Sequence, residues 1–472
     1  MTLQLRESQR VALEVLTEPG RHFAALWAEP RSGKTAVALK WIEHVEPRVA
    51  VIVGPKIAEG VWRGEAAKWL GKRYTFHPLT AGNDYPADLR PGINLMFVNY
   101  EQFGKSPWQR LRPFLDKLSK LCGGQGMMLL DESHQIKTPS SVTGRNIRPL
   151  AAKWHYRLLM TGTPVTNPNQ VDAVYGQWTF LDPSIRDLWP SARDFREHFG
   201  EWSTVKGFPE LIRPRNQYEL NAYIQKNVVT MVGPGKPVPI HRVYYSMPES
   251  VALMHKTMLK EGVVEYEGRD VVGLNPLVRL LRMRTLVAGW WKDDEGSSIT
   301  VPDAARARLG ALGKLLRRCE GKIIIACTHL WEVKLVRGYL RRRGIGHTVI
   351  VGATKDKSHV IEAFQRDREL RVLLVQPQTV SMAVDISVAQ DLIWYSSNFN
   401  YVTFKQASDR IKLSPANPRV WFLCARGSVD EDVWKTLQED HDHLRKVVAR
   451  IRPSRAARRK NQVGKNVRQG LR

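Results

Sequence analysis

Ala28-Glu-Pro-Arg-Ser-Gly-Lys-Thr35 decides how this chain is read. The octapeptide has the form A-x-x-x-x-G-K-T. It follows an apolar run, Phe23-Ala-Ala-Leu-Trp27, that reads as a buried strand. Behind it comes Ala36-Val-Ala-Leu-Lys-Trp-Ile42, free of Gly and Pro, which reads as a helix. Strand, tight loop and helix is the setting a phosphate-binding loop requires. Backbone N–H groups of such a loop wrap a phosphate, and the helix N-terminus adds partial positive charge. Gly33 lets the backbone come close, and Arg31 and Ser32 complete the nucleotide-holding set beside it. Lys34 is expected to reach the β/γ-phosphates, and the Thr35 hydroxyl to ligate Mg²⁺.

Working outward, the apolar runs alternate with helical patterns. Arg48-Val-Ala-Val-Ile-Val-Gly54 reads as a buried parallel strand and is followed by Pro55-Lys56. Ile93–Tyr100 is the next strand. Met127-Met-Leu-Leu130 is another and ends in Asp131-Glu-Ser-His134; Tyr156–Met160 runs into Thr161-Gly-Thr-Pro164. This rhythm predicts a doubly wound α/β domain over 1–184, with its site in the loops at the strand ends. Adjacent carboxylates after a buried strand put one acid, Asp131, on Mg²⁺ and the next, Glu132, near an attacking water. The alternative is an exposed acidic pair at a strand end, and the phosphate loop upstream favours the functional reading. Toward the N-terminus an amphipathic helix opens at Leu5–Gln9, with Val11, Leu13, Val15 and Leu16 as candidate buried positions. Gln9 stands where a side chain could read an adenine edge or simply face solvent.

Residues 185–305 break the rhythm. Basic and aromatic residues mix there with Gly/Pro punctuation, which reads as a helical insertion plus linker. Its cluster Arg279/Arg282/Arg284 either contacts phosphates or forms a solvated helix face. From 306 to 451 the α/β rhythm returns without a second phosphate loop. A basic tail, 452–472, is expected to be disordered and electrostatic.

Composition narrows the classes. The chain has 472 residues and a formal net charge of +26, and +18 remains when the tail is set aside. That surplus points to a polyanion partner, here nucleic acid. No apolar run approaches the ~18 residues of a membrane span, and the first residues lack a signal peptide's apolar core. The four cysteines lack C-x-x-C spacing with partner histidines and read as buried thiols in a reducing compartment. A cytoplasmic location follows, the host cytoplasm if the chain is phage-encoded.

The order of these signatures resembles helicase superfamily two, in its Swi/Snf-like ATPase branch. Gln9 matches the adenine-side glutamine, Gly33-Lys34-Thr35 motif I, and Val51–Lys56 with Trp62 and Trp69 motif Ia. Asp131-Glu-Ser-His134 with Gln135-Ile-Lys137 is similar to D-E-[AG]-H-x-I-K, and Leu159–Pro164 through Asn167 is similar to motif III. Gly344-Ile345 through Gly352, Val384-Asp-Ile386, Gln406-Ala-Ser-Asp-Arg410 and Gly427–Glu431 look like the later motifs. The resemblance implies two tandem RecA-like lobes with ATP and Mg²⁺ between them, and translocation on double-stranded DNA that does not require strand separation. It assigns catalysis to Lys34, Asp131, Glu132 and Arg410, and coupling to nucleic acid to Lys56, Thr161, Gly162, Thr163, Asp385 and Gln406. Two departures stand out. Val380, Ser381 and Ala383 replace glycines of motif V, and Leu413, next to Lys412, holds the place of motif VI's second arginine. A strand-separating helicase and a nucleotide-gated clamp with weak hydrolysis are the competing expectations.

Overall fold

The computed structural model describes residues 3–439 except 30, 71–72, 80–84, 87, 163–170, 206–207, 236, 274–275, 293–296, 355, 381–385 and 416. The chain divides into two compact units at Gly233/Pro234.

In the first unit α1 (Glu7–Leu16) leads into β1 (Phe23–Ala28), α2 (Lys34–Val45), β2 (Val49–Gly54) and α3 (Ala58–Trp69). β3 (Tyr74–Leu79), β4 (Ile93–Asn99), α4 (Lys105–Leu121) and β5 (Met127–Asp131) follow. Then come α5 (Val142–Ile147), β6 (Tyr156–Thr161) and α6 (Val171–Leu181). The unit ends with α7 (Ile185–Leu188), α8 (Ala192–Phe199), the hairpin β7 (Gly200–Val205) and β8 (Phe208–Pro214), α9 (Gln217–Gln225) and β9 (Val228–Met231). Seven strands form one parallel sheet in the order β3-β4-β2-β5-β6-β1-β9. Successive residues of a strand point to opposite faces, and the core divides accordingly. Ala25, Trp27, Val51, Val53 and Met128 pack with Leu111, Leu115 and Leu118 of α4 and Trp178 of α6. Ala24, Leu26, Ala50 and Ile52 pack with Ala12, Leu39 and Trp62 from α1, α2 and α3. Both faces are therefore covered by helices, and the strands read as continuous apolar runs because neither side meets water.

The second unit opens with β10 (Ile240–Tyr245), α10 (Glu249–Glu261), the hairpin β11 (Val263–Tyr266) and β12 (Arg269–Val272), and α11 (Pro276–Val287). The hairpin β13 (Trp290–Lys292) and β14 (Ser298–Thr300) precedes α12 (Pro302–Arg318), β15 (Ile323–Ala326), α13 (Leu330–Arg342), β16 (His347–Ile350) and α14 (Lys357–Arg366). β17 (Val372–Val375), α15 (Pro377–Val380), β18 (Asp391–Trp394), α16 (Tyr401–Ser408) and β19 (Arg419–Ala425) complete it, with a last helix over 429–439. Its sheet is also parallel, ordered β10-β19-β18-β15-β17-β16. Arg308 is buried inside this unit, where its guanidinium meets Asp430 at 2.8 Å, the Tyr395 carbonyl at 2.6 Å and the Tyr245 hydroxyl at 2.9 Å. The fold class is thus α/β with two tandem doubly wound lobes.

Several local expectations are corrected. The stretch 185–305 is not purely helical: β9 adds an edge strand to the first sheet, β10 adds one to the second, and three hairpins lie between other elements. Val11 is 47% exposed, whereas Gln9 is buried, because α1 turns Gln9, Ala12 and Leu16 toward α2. Arg279, Arg282 and Arg284 are half-buried and tied to backbone carbonyls, so they are not simply a solvated face. Arg279 donates to the Gly273 and Leu259 carbonyls, Arg282 to those of Val272 and Lys292, and Arg284 to Ser397. Residues 440–472, including the basic tail, lie outside the described residues.

Candidate nucleotide site

The loop between β1 and α2 is shaped by two left-handed residues, Arg31 at φ 62° and Gly33 at φ 81°. Such turns curl backbone N–H groups toward a common side, the geometry of an anion nest. Gly33 has a positive φ that L side chains rarely adopt, and a Cβ there would lie 2.1 Å from the Gln9 side-chain nitrogen. Arg6 clasps the loop from outside by donating to the carbonyls of Arg31 (3.2 Å) and Ser32 (2.6 Å). The Gln9 amide donates to the Gly33 carbonyl at 3.4 Å, and its oxygen accepts from the Arg6 N–H at 2.8 Å. The Ser32 hydroxyl is buried without a hydrogen-bond partner. Thr35 sits half-buried in the first turn of α2.

Strand order brings the acids to this loop. β6 lies between β1 and β5, so the ends of β1 and β5 open on the same edge two strands apart. The Lys34 ammonium lies 3.1 Å from Asp131 Oδ1 and 2.5 Å from Glu132 Oε1. Burial alone would draw Lys34 toward neutrality, but Asp131 and Glu132 outweigh it and hold the ammonium above the usual lysine range. Burial likewise pushes the Glu132 carboxyl up, and Lys34 and His134 overrule it, leaving Glu132 below the usual carboxylate range. Glu132 takes a left-handed conformation, φ 53°, uncommon for a residue other than glycine. Asp131 is held by the Trp62 indole N–H at 3.0 Å on Oδ2 and by the Glu132 N–H at 3.0 Å on Oδ1. The Tyr100 hydroxyl donates to the Asp131 carbonyl at 2.8 Å. His134 Nδ1 is 3.3 Å from Glu132 Oε2 and 3.2 Å from the Thr161 hydroxyl, a bridge from the acidic pair to the end of β6.

These residues fit a nucleotide phosphate group and Mg²⁺. A buried orphan hydroxyl at Ser32, a glycine cradle and a cation beside two carboxylates are the donor set such a ligand needs. Among the described residues no group of three His, Cys, Asp or Glu could hold a metal without help. Mg²⁺ does not require one, since it is ordinarily held by one or two protein oxygens plus phosphates and water.

Lys56 is exposed just past β2, Thr161 is fully buried, and Gly162 follows it half-buried. Thr163 and Asp385 lie outside the described residues, as do Ser381, Ala383 and the remainder of motif III through Asn167. In the second unit Gln406 is half-buried on α16, and Arg410 lies in the 3₁₀ turn Asp409–Ile411 that follows it. Lys405 anchors that turn through an ion pair with Asp409. Leu413 is 38% exposed, and Gly235 packs against it and Lys412: a Cβ there would lie 3.2 Å from the Lys412 carbonyl. Nothing in the motifs marks Arg6 or Tyr100 as site residues, and the motifs give Trp62 and His134 no individual role. Position gave a signal only for Arg6, three residues before Gln9 on one helical turn.

Residues 49–244 match the family model of the SNF2-related domain. An uncharacterized ATP-dependent helicase of Mycoplasma genitalium is 20% identical over 326 residues, covering 68% of this chain and 30% of that protein. An ISWI chromatin-remodeling complex ATPase of Arabidopsis thaliana is 23% identical over 325 residues, 65% of this chain and 30% of its own length. A DNA repair and recombination protein of Oryza sativa is 20% identical over 457 residues, 84% of this chain and 45% of that protein. The chain thus spans less than half the length of these relatives. Among solved structures, the Sulfolobus solfataricus SWI2/SNF2 ATPase core in complex with dsDNA is 17% identical, with a TM-score of 0.41, covering 95% of this chain and 97% of that one.

Proposed function

We infer that this chain, an SNF2-like member of helicase superfamily two, is an ATP-hydrolysing motor that acts on nucleic acid, with double-stranded DNA as its track. The observation that carries the reading is the cluster of Lys34, Asp131 and Glu132 at the mouth of the phosphate loop. Gly33, Ser32 and Lys34 would hold the phosphates, with Gln9 and Arg31 alongside. Thr35 and Asp131 would hold Mg²⁺, which neutralises charge on the phosphate oxygens. Trp62 fixes the orientation of Asp131. Glu132 stays ionised under the field of Lys34 and so can orient an attacking water by accepting its hydrogen bond. His134 passes the position of Glu132 to Thr161, which gives motif III a mechanical link to the hydrolytic carboxylate. Arg410 is assigned the stabilising charge on the transferred phosphoryl group by its place in Gln406–Arg410. Lys56, Gly162, Thr163, Asp385 and Gln406 are assigned to coupling on the same basis. The net charge of +26 supports a polyanion track.

ATP hydrolysis measured with no nucleic acid, duplex DNA, single-stranded DNA and RNA tests the reading, and duplex DNA should stimulate most. Lys34→Ala should lose ATP affinity, whereas Glu132→Gln should retain bound ATP and stop turnover. Equal loss of binding in both would remove Glu132 from the hydrolytic role. A second reading, a nucleotide-gated clamp with weak hydrolysis, is favoured by one observation: Leu413 offers neither charge nor donor where a second arginine is expected. A finger arginine contributes about 10³–10⁵ in rate, so Arg410→Ala should abolish stimulated turnover. Parent-like hydrolysis in Arg410→Ala would favour the clamp.

A further inference from the structure

Helices α12 and α13 carry positive charge that the fold of the second unit does not use. Arg308 is buried against Asp430, and Arg306 pairs with Asp303. Lys314, Arg317 and Arg318 of α12 are exposed, as are Arg337 of α13 and Arg342 and Arg343 at its end. Among the described residues none of these six pairs with a carboxylate. The one acid of α13, Glu332, does not offset them: it is buried and accepts from Trp290 and from the His329 N–H.

Between the two helices lies a cavity of about 370 Å³ lined by Arg317, Arg343 and Arg371 over Leu316, Tyr339 and Ile345. Two of its guanidinium groups have partners. Arg343 lies 5.2 Å from the centroid of the Tyr339 ring, and Arg371 donates to the carbonyls of Leu316 (2.9 Å) and Cys319 (2.6 Å). A Cβ at Gly313 would lie 2.0 Å from the Tyr339 hydroxyl, so a glycine lets the ring close the cavity wall. The cavity's place in the fold is informative. Ile345 lies two residues before β16 and Arg371 one before β17, so it opens at the amino edge of the parallel sheet. Open α/β sheets place their principal ligand at the opposite, carboxyl edge.

We propose that this face is a second nucleic-acid contact, in which Arg317 and Arg343 seat backbone phosphates of a duplex at the amino edge of the second lobe. The proposal rests on reading the chain as a nucleic-acid motor. Planar guanidinium forks match phosphate geometry. The cations at the C-terminal end of α13 extend from Arg337 to Arg343, about 9 Å along the helix, and those of α12 widen the strip. A duplex presents one phosphate charge per ~1.7 Å of axis, so a polyanion can engage the strip, whereas a single small anion would use only one end of it.

The test compares parent, Arg317→Ala/Arg343→Ala and Arg317→Lys/Arg343→Lys. A labelled random-sequence duplex is titrated across a salt series, and ATPase is measured at saturating duplex. Two lost phosphate contacts should lower the slope of log affinity against log salt by about 1.8 in the alanine pair. Turnover at saturating duplex and thermal midpoint should stay at parent values, and the lysine pair should keep the parent slope. An unchanged slope in the alanine pair overturns the proposal. So does lost stimulation at saturating duplex, which would place both arginines on the motor's own track. Oligoglutamate binding that disappears in the alanine pair while the duplex slope holds would assign the face to an acidic protein partner. A parent that binds no duplex would defeat the proposed function as well, which distinguishes the two failures.

Discussion

Lys34 and Glu132 set each other's charge, and their opposite shifts make a pH prediction. Glu132 is held below its ordinary range, so its contribution is complete above the unfolded carboxylate value of about 4.3 and is lost as pH falls through the folded value. Lys34 is held above its ordinary range. Its contribution is complete below about 10.4 and is lost as pH rises through the folded value. Between those limits the pair is indifferent to pH. Lys34→Met would leave Asp131 and Glu132 adjacent without their cation, one of them ready to take up a proton. The ATP-free variant should be less stable by about 3–5 kcal/mol at pH 7, with the deficit shrinking toward pH 5. Denaturant unfolding at the two pH values checks this, and equal deficits would mean other donors hold the carboxylates. Trp62→Phe is a finer probe. It keeps the buried ring but removes the 3.0 Å hydrogen bond to Asp131, a charge-assisted contact contributing about 1.5–3 kcal/mol. The concentration of Mg²⁺ giving half-maximal hydrolysis should rise more than the concentration of ATP does. A proportional change in both would mean that Asp131 keeps its orientation without the indole. Lys34, Asp131 and Glu132 were legible in the sequence because each lies in a contiguous motif with its own strand. Trp62 and Tyr100 act on Asp131 from 69 and 31 residues away, and no local pattern encodes a partner at that distance.

At the scale of elements, the acidic loop depends on how α6 seats beneath it. Ser133 donates to Gln177 of α6 at 2.7 Å. The Arg148 guanidinium gathers the carbonyls of Ile136, Thr138, Pro139 and Gly176, all at 2.7–2.9 Å. Burial lowers Arg148 to about 10, with Arg186 adding to the effect, so it stays charged through the neutral range. Gly176 lets the helix reach this position: a Cβ there would stand 2.3 Å from the Lys137 carbonyl. Gly176→Ala should therefore push α6 off the loop, costing about 1–3 kcal/mol and lowering turnover through Glu132 while ATP binding is kept. Parent-like thermal unfolding and turnover would show that the loop tolerates the shift. The same scale explains what the sequence hid. The long apolar strands announced themselves, whereas β9 has four residues and only Val229 and Met231 are buried. Its pairing with β1 spans some two hundred positions, so periodicity could not reveal it, and 185–305 read as an insertion.

For the molecule as a whole, the two sheets borrow their outer strands from the stretch around the division at Gly233/Pro234: β9 closes the first sheet and β10 borders the second. Fragments should follow those borders. Residues 1–233 should be soluble when expressed alone, whereas 1–184 should aggregate, since β1 would become an unpaired apolar edge. Size-exclusion chromatography of the two fragments decides it, and a monomeric 1–184 would show that β9 is dispensable.

The pairing of β9 with β1 also sets a clock on the newborn chain. Ribosomes add about 5–20 residues each second, so the interval between making Ala28 and making Met231 is on the order of 10–40 s. Throughout it the strand feeding the phosphate loop is flanked on one side by nothing the ribosome has yet delivered. The nascent protein therefore carries an unpaired apolar edge at the strand that leads into the Arg31–Thr35 loop, and slowed synthesis or a shortage of holding chaperones should lower its yield before any step of its chemistry is affected.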